Sequence, residues 1–369
     1  MEFSTSRKDL VSVLHGVVQG MSAKALIPVL SGVLVRAEGE AVSFEATDLE
    51  IAVRANLPAD VAVPGAAVLP GRQFFDLARR LDGDRVRLVG LEGNRTRLEY
   101  ASGAVEFSGY APEEFPAFPA VEEAVSFSLP AEELKALAGQ VASICDPAVP
   151  VFSGVLWEVQ DGALTWVATD THRLAAKKGP AVSGDFRHIV PAKALEIAAA
   201  QAAEGEVAVQ VGPKHILFSG PDFAVVSRFV EGKYPSWRNV MPCAFSATVT
   251  ADFEALAAVL ERAALIAREA SEKERANLVR LTFGESQLRV SAQSEIGSLA
   301  EELPVTVSGE EAELYFNVRY LLDALAAAGL EEGSLKIAEK GVAVVVQKDD
   351  GYRHLVLPVI VKGESAAAA

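Results

Sequence analysis

PVLSGVLV at residues 28–35 and PVFSGVLW at residues 150–157 are nearly the same string, set 122 residues apart. The same offset continues downstream: VSFEATD ends at Asp48 and LTWVATD ends at Asp170, again 122 residues on. Upstream, FSTSRKDLVSVL from Phe3 aligns with FSLPAEELKALA from Phe127 and with VTADFEALAAVL from Val249. Each opens with a short extended piece and a helix-start signal: Ser6 with Asp9, Pro130, and Thr250. Apolar residues then recur at helical spacing, as Leu10, Val13, Leu14, Val17, then Leu134, Leu137, Val141, then Leu256, Val259, Leu260, Ala263. The third copy is worn but present, as LVRLTF from Leu278 and LRVSAQS ending at Ser294. Alternating apolar and polar residues make these segments strands.

A second match lies later in each third. VLPGRQFFDLARRL from Val68, IVPAKALEIAAAQ from Ile189 and YFNVRYLLDALAAAG from Tyr315 each run from a strand into a helix. Strand patterns follow: RVRLVGLEG, EVAVQVG and SLKIAEKG. The first two copies close on proline-containing connectors, FSGYAPEEFPAFP and VSRFVEGKYPSWRNVMP. Short turns such as Glu38-Gly39-Glu40 and Asp161-Gly162-Ala163 favour antiparallel pairing. The expectation is an α+β chain of three similar domains, each with two helices on antiparallel sheets, at 1–121, 122–247 and 248–369. The final KGESAAAA reads as a disordered tail.

Composition narrows the function. Half of the 369 residues are hydrophobic, enough for a large core. The net charge of −16 argues against coating nucleic acid by bulk charge, though not against a local basic surface. Two cysteines, Cys145 and Cys243, fit a reduced compartment and give no zinc framework. MEFSTSRKDL lacks the apolar run of a signal peptide, and no stretch is long and apolar enough to span a membrane. The expectation is a cytoplasmic protein with no cofactor, no metal and no membrane contact.

VATDTHRLA (167–175), VEGKYPSWRNVMP (230–242), FNVRYLLDAL (316–325) and IPVLSGVLV (27–35), in order on a threefold repeat, carry a resemblance. Over residues 1–361 the chain resembles the bacterial DNA polymerase III β subunits, the β sliding clamps. The resemblance implies the DNA-clamp fold: two chains joined head to tail into a closed ring, helices facing the hole and sheets forming the rim. It implies a non-catalytic processivity factor of the DNA polymerase III holoenzyme, associated with the nucleoid. Such a ring threads duplex DNA without reading sequence. It tethers the polymerase III catalytic subunit and other clamp-motif proteins, and a clamp loader opens it.

The resemblance also implies sites. The dimer contact falls on a strand edge near Phe107 and on a helix at Leu265 and Ile266. By spacing alone these three belong to the core. The partner-peptide groove falls on Phe152, Thr169, Thr171, His172, Arg173 and Leu174, on Pro235, Asn239 and Val240, and on Leu355, Leu357, Pro358 and Val359. Apolar side chains there suit apolar anchors, and His172 and Arg173 suit a polar rim. Leu174→Glu is expected to abolish partner binding while leaving the dimer intact. The family often has Gly where Thr171 stands and Arg where Asn239 stands. It often ends in a Met-rich segment where this chain has Leu357-Pro358-Val359-Ile360-Val361. Asp170 is assigned to a backbone turn, because the Ala-Thr-Asp of Asp48 recurs without any histidine.

A ring that slides needs modest positive charge inside. The DNA-facing candidates, on or beside expected helices, are Lys24, Arg72, Arg79, Arg80, Lys193, Arg268 and Arg319. Arg7, Lys8, Lys135, Arg262, Lys273 and Arg275 join them in a wider set. Phosphate contacts of this kind position without specifying. Two rival readings stand against the ring. An enzyme working in pockets between repeats finds no GxxxxGK[ST], nucleophile elbow or HExxH. A repeat scaffold that binds proteins without encircling DNA would share the groove but need no basic helices.

Overall fold

The computed structural model describes residues 1–22, 27–122, 125–268, 277–284, 286–329, 332–347 and 351–361. Lys24, Lys273, Arg275 and the KGESAAAA tail lie outside the described residues. Six α-helices are described: α1 (Arg7–Val17), α2 (Gly71–Ala78), α3 (Ala131–Gln140), α4 (Ala192–Gln201), α5 (Phe253–Ala267) and α6 (Val318–Ala328).

Local chemistry sets the helix starts. Ser6 Oγ accepts the Asp9 amide at 3.0 Å and donates back to the Asp9 carboxylate at 2.6 Å. Asp252 accepts from the Ala255 amide at 3.0 Å, and Asn317 from the Arg319 amide at 3.0 Å. The start signal expected at Thr250 is therefore displaced: Thr250 stays in the strand Phe245–Asp252, and Asp252 is the cap. The periodic residues Leu10, Leu14, Val17, Leu134, Leu137, Leu256, Val259 and Leu260 are buried, so the helical spacing marks true core faces.

The chain divides into two compact units. The first holds Met1–Ala138 with Val190–Val230. Its five-stranded sheet runs in the order Asp60–Val63, Glu2–Ser6, Arg85–Gly90, Arg95–Tyr100, Gly103–Ser108. Its eight-stranded sheet runs Val125–Pro130, Glu206–Val211, His215–Ser219, Phe223–Arg228, Ile51–Pro58, Ala41–Thr47, Gly32–Glu38, Gly65–Pro70. The middle of this sheet joins two repeats antiparallel, with Val53 opposite Val225. Helix α1 packs on α2 and α4. Gly16 leaves room there for the Gln201 side chain, whose amide would have to move if a Cβ were added, since that Cβ would lie 1.7 Å from Nε2.

The second unit holds Gly139–Ile189 and the described residues from Glu231 onward. Its nine-stranded sheet runs Arg187–Pro191, Gly154–Gln160, Ala163–Thr169, Arg173–Ala181, Arg353–Val356, Val344–Gln347, Glu332–Ala338, Phe245–Asp252, Thr306–Gly309. Here too the repeats meet inside a sheet, with Leu174 opposite Leu355. A four-stranded sheet runs Gly297–Pro304, Gln287–Ser294, Leu278–Phe283, Ala312–Asn317, and α5 packs on it and on α6. Each unit thus takes strands from two neighbouring repeats, and the central repeat serves both.

Candidate functional site

Ala-Thr-Asp forms the same turn in both copies. In the first, Thr47 Oγ1 donates to the Ile51 carbonyl at 2.9 Å, and Asp48 Oδ1 accepts from the amides of Glu50 (3.1 Å) and Ile51 (2.7 Å). In the second, Thr169 Oγ1 donates to the Arg173 carbonyl at 2.7 Å, and Asp170 Oδ1 accepts from the amides of His172 (3.0 Å) and Arg173 (2.9 Å). Leu49 and Thr171 hold the same left-handed position, each at φ 75°. A β-branched residue is strained there. Thr171→Asn, which relieves that strain without adding glycine's chain entropy, is expected to stabilise the chain by about 1 kcal/mol in urea unfolding.

The second copy adds a cluster that the first lacks. Arg173 Nε donates to Asp170 Oδ2 at 2.8 Å, and its Nη1 donates to Asp323 of α6. The guanidinium lies over the Tyr320 ring, 4.7 Å from its centroid, and His172 stacks on the same ring at 5.9 Å and 20°. Burial works against the Arg173 charge, but the bonds to Asp323 and Asp170 more than offset it and raise its pKa above the ordinary arginine value. The side chain is only 11% exposed. Arg173 was expected at an open polar rim; it is instead held between two carboxylates and an aromatic face. His172 and Asp323 are its exposed members.

The chain end meets this turn through the backbone. After the strand Arg353–Val356, the Leu357 amide donates to the His172 carbonyl at 3.0 Å and the Val359 amide to the Tyr315 carbonyl at 2.7 Å. Leu357, Pro358 and Val359 are half-buried, whereas Leu174 and Leu355 face each other inside the sheet. Leu174 is 2% exposed. This corrects one expectation: Leu174→Glu would bury an unpaired carboxylate and damage the fold itself, so it does not test binding alone.

The third part is the connector KYPSWRNV. Tyr234 is buried, its hydroxyl donating to the Val167 carbonyl at 3.4 Å and its ring meeting the Phe152 ring edge-on at 5.9 Å. Burial raises the Tyr234 pKa far above the ordinary tyrosine value. Glu158 takes the Trp237 indole N–H at 3.3 Å, a bond from Arg238, and Arg187 Nε at 3.1 Å. Arg187 also donates to the Tyr234 carbonyl at 3.2 Å. Burial alone would raise the Glu158 pKa; the bonds from Arg238 and Trp237 outweigh it and hold the carboxyl below its ordinary value. Pro235, Asn239 and Val240 ride on this anchored segment, exposed. Thr169, half-buried, ends the strand whose Val167 carbonyl receives Tyr234.

Tyr234, Glu158, Tyr320 and Asp323 were not singled out from sequence as part of this region. Tyr320 and Asp323 stand three residues apart within FNVRYLLDAL, which places them on one helix face. That spacing was the available signal.

The basic candidates sit near helix ends. Arg72, Arg79 and Arg80 are exposed on or just after α2. Arg79 lies over the Phe75 ring, and Arg80 Nη1 is 3.9 Å from the Asp76 carboxylate. Lys193 Nζ, in the first turn of α4, is 3.2 Å from Asp48. Arg268 caps α5 and Arg319 starts α6, both exposed. From the wider set, Arg262 turns to Glu301 of the neighbouring strand with bonds of 2.8 and 2.6 Å.

The expected dimer residues divide. Strand Gly103–Ser108 is a sheet edge, but Phe107 on it is only 8% exposed and packs on Phe74 at 5.7 Å. Leu265 is 66% exposed on α5, and Ile266 is half-buried. Spacing alone placed all three in the core; that holds for Phe107 and fails for Leu265. Among the described residues no group of three His, Cys, Asp or Glu side chains is placed to hold a metal ion. No helix of the described residues is long and apolar enough to cross a membrane.

Comparison with known proteins matches three segments in order: the N-terminal domain of the DNA polymerase III beta subunit at residues 1–119, the central domain at 128–236 and the C-terminal domain at 238–360. The chain belongs to the DNA polymerase III β subunit family. A beta sliding clamp from Staphylococcus aureus is 28% identical over 97% of this chain and 99% of its own length. The crystal structure of the DNA polymerase III subunit beta from Pseudomonas aeruginosa superposes with a TM-score of 0.88 at 27% identity, covering 98% of this chain and 100% of that one. The sliding clamp from Bacillus subtilis shares the fold at TM-score 0.90 and 24% identity, covering 98% and 99%. The architecture is therefore the three-domain β-clamp fold of helices on antiparallel sheets. In this family's terms, the strand pairs Val53–Val225 and Leu174–Leu355 are the seams between successive domains.

Proposed function

We propose that the chain is a DNA sliding clamp: a replication protein that tethers the polymerase to duplex DNA and confers processivity. The ordered family match along residues 1–119, 128–236 and 238–360 carries this reading. The three clamp domains fall at 1–121, 122–247 and 248–369. Two chains close head to tail into a ring. The edge strand Gly103–Ser108 of one chain meets the edge strand Gly297–Pro304 of the other, with Leu265 and Ile266 beside the latter. The ring performs no chemistry; it works in the cytoplasm on the nucleoid.

Arg72, Arg79, Arg80, Lys193, Arg268 and Arg319 line the hole. Their side chains are exposed, Arg79 and Arg80 resting against Phe75 and Asp76 of their own helix and Lys193 drawn to Asp48. A few long, mobile cations give weak, salt-sensitive contact, which suits a ring that must slide. The net charge of −16 discourages DNA from the outer surface. Partners dock short apolar segments, from the polymerase III catalytic subunit, the clamp loader and other clamp-motif proteins, in the groove. Phe152, Val240, Pro358 and Val359 offer apolar surface there, and His172 offers a polar edge.

The test is retention on nicked circular DNA after incubation with a bacterial clamp loader and ATP, with the loader's own clamp as control. The chain is expected to stay on the circle through a salt wash and to leave on linearisation. Retention on both forms would mean direct DNA binding. Retention on neither, with the control loaded, favours the scaffold reading if a loader from the same organism also fails.

A further inference from the structure

The two copies of the Ala-Thr-Asp turn serve as each other's control. Their backbone hydrogen bonds match, and so does the φ of 75° at Leu49 and Thr171. Where the second copy has Arg173, the first has Ile51. The turn therefore folds without the arginine. What differs is how each turn is tied to the helix beside it. In the first copy the tie is direct: Lys193 of α4 donates to Asp48 Oδ2 at 3.2 Å. In the second copy Asp170 Oδ2 is already taken by Arg173 Nε, and the helix supplies an acid, Asp323, to the far side of the same guanidinium. The sign of the helix charge is reversed, and an arginine is inserted as a relay.

The geometry points to Asp323 as a positioning residue for the partner groove: acting through Arg173, it fixes the turn that presents His172, and the strand start that carries Leu174, against α6. This rests on the groove reading above. The Arg173 guanidinium lies over the Tyr320 ring, and His172 stacks on the same ring. If Arg173 is released, His172 loses the neighbour that keeps its platform in place. The effect does not stop at the turn, because the His172 carbonyl also receives the Leu357 amide at 3.0 Å. Turn, helix and the Leu357–Val359 segment are thereby set relative to one another by one bidentate-capable cation between two carboxylates. Asp323 itself is 55% exposed, so changing it opens no cavity and buries no new group.

Asp323→Asn keeps the shape and removes the charge. With a fluorescein-labelled peptide copied from the polymerase III catalytic subunit, and chosen by its binding to the unaltered chain, the Asn variant is expected to bind about tenfold more weakly. Asp323→Glu is expected to restore affinity to within about twofold. Melting temperatures are expected to stay close to that of the unaltered chain. A second readout follows the platform directly: the His172 ring proton resonance, shifted by the Tyr320 ring, is expected to move in the Asn variant and hold in the Glu variant. Val240→Glu, at an exposed groove position, serves as the control for the groove itself. Unchanged affinity in Asp323→Asn, with binding lost in Val240→Glu, would overturn the positioning role and leave the groove standing. Unchanged affinity in both would remove the groove and the inference with it. Weaker binding with an unmoved His172 signal would make Asp323 a direct peptide contact, contrary to the proposal. Equal loss in the Asn and Glu variants with lowered melting would reduce it to general stability, again contrary.

Discussion

A chain carrying Leu265→Glu is expected to sediment as a monomer at concentrations where the unaltered chain forms the proposed dimer. Leu265 projects from α5 with 66% of its surface exposed, so the change removes nothing from the core of its own chain. Arg262 on the same helix is tied to Glu301 on the edge strand Gly297–Pro304, which places Leu265 beside the edge offered for pairing. Burying a leucine against a partner stabilises by roughly 2 kcal/mol. Forcing an unpaired carboxylate into the same place costs about 2 kcal/mol more. Together these weaken each of the ring's two contacts by about three powers of ten. Sedimentation equilibrium reads the loss, and the variant should also fail to remain on circular DNA after loading. A dimer of unchanged strength would place the ring contact elsewhere. Phe107, packed on Phe74, is the poorer site for this test, because its substitution would unsettle its own sheet.

The second large effect is a loss of stability in mild acid that vanishes when His354 is replaced. His354 is fully buried in the strand Arg353–Val356, its Nδ1 2.8 Å from the Tyr352 hydroxyl. That hydroxyl donates onward to the Gln140 carbonyl at 3.2 Å. Burial, reinforced by the positive charge of Arg173, pushes the imidazole pKa down to about 3. In the unfolded chain it returns to its ordinary value of 6.5. Between these two values the unfolded state takes up a proton that the folded state refuses. The contribution is complete above pH 6.5 and is lost progressively as the pH falls toward 3. At pH 5 the loss amounts to about 2 kcal/mol. Urea unfolding of the unaltered chain and of His354→Leu, at pH 7.5 and near pH 5, isolates it as the difference between their pH slopes. Carboxylates such as Glu158, whose pKa is held down by its arginines, lose stabilisation at lower pH and cancel in that difference. Parallel slopes would mean that the imidazole titrates normally, and hence that water reaches it.

The repeat made most of the fold legible. A shift of 122 residues brought Pro28 onto Pro150 and Asp48 onto Asp170, and the helical spacing of Leu10, Leu134 and Leu256 named three core faces. The structural role of Asp170 was also readable, since its turn recurs at Asp48 without His172. What stayed hidden depends on partners far away in the chain. Arg173 reads as a rim residue until Asp323, 150 positions later, takes its guanidinium. Glu158 reads as one more surface acid until Trp237, Arg238 and Arg187 converge on it. Exposure of Leu265 was likewise invisible, because an apolar residue in a helix carries no mark of whether its neighbour is its own chain or another.

The seams within the two long sheets have a consequence for how such a chain can grow or shrink. Ile51–Pro58 finds its ladder partner in Phe223–Arg228, and Arg173–Ala181 finds its own in Arg353–Val356. A single module cut out of this chain would carry bare strand edges, the kind that recruit unrelated strands into aggregates. Tandem copying supplies the missing neighbour in the same event that creates the need for it. Excising the central module strips a neighbour from both of its flanks. The ancestry of the chain is modular, but its parts are no longer separable.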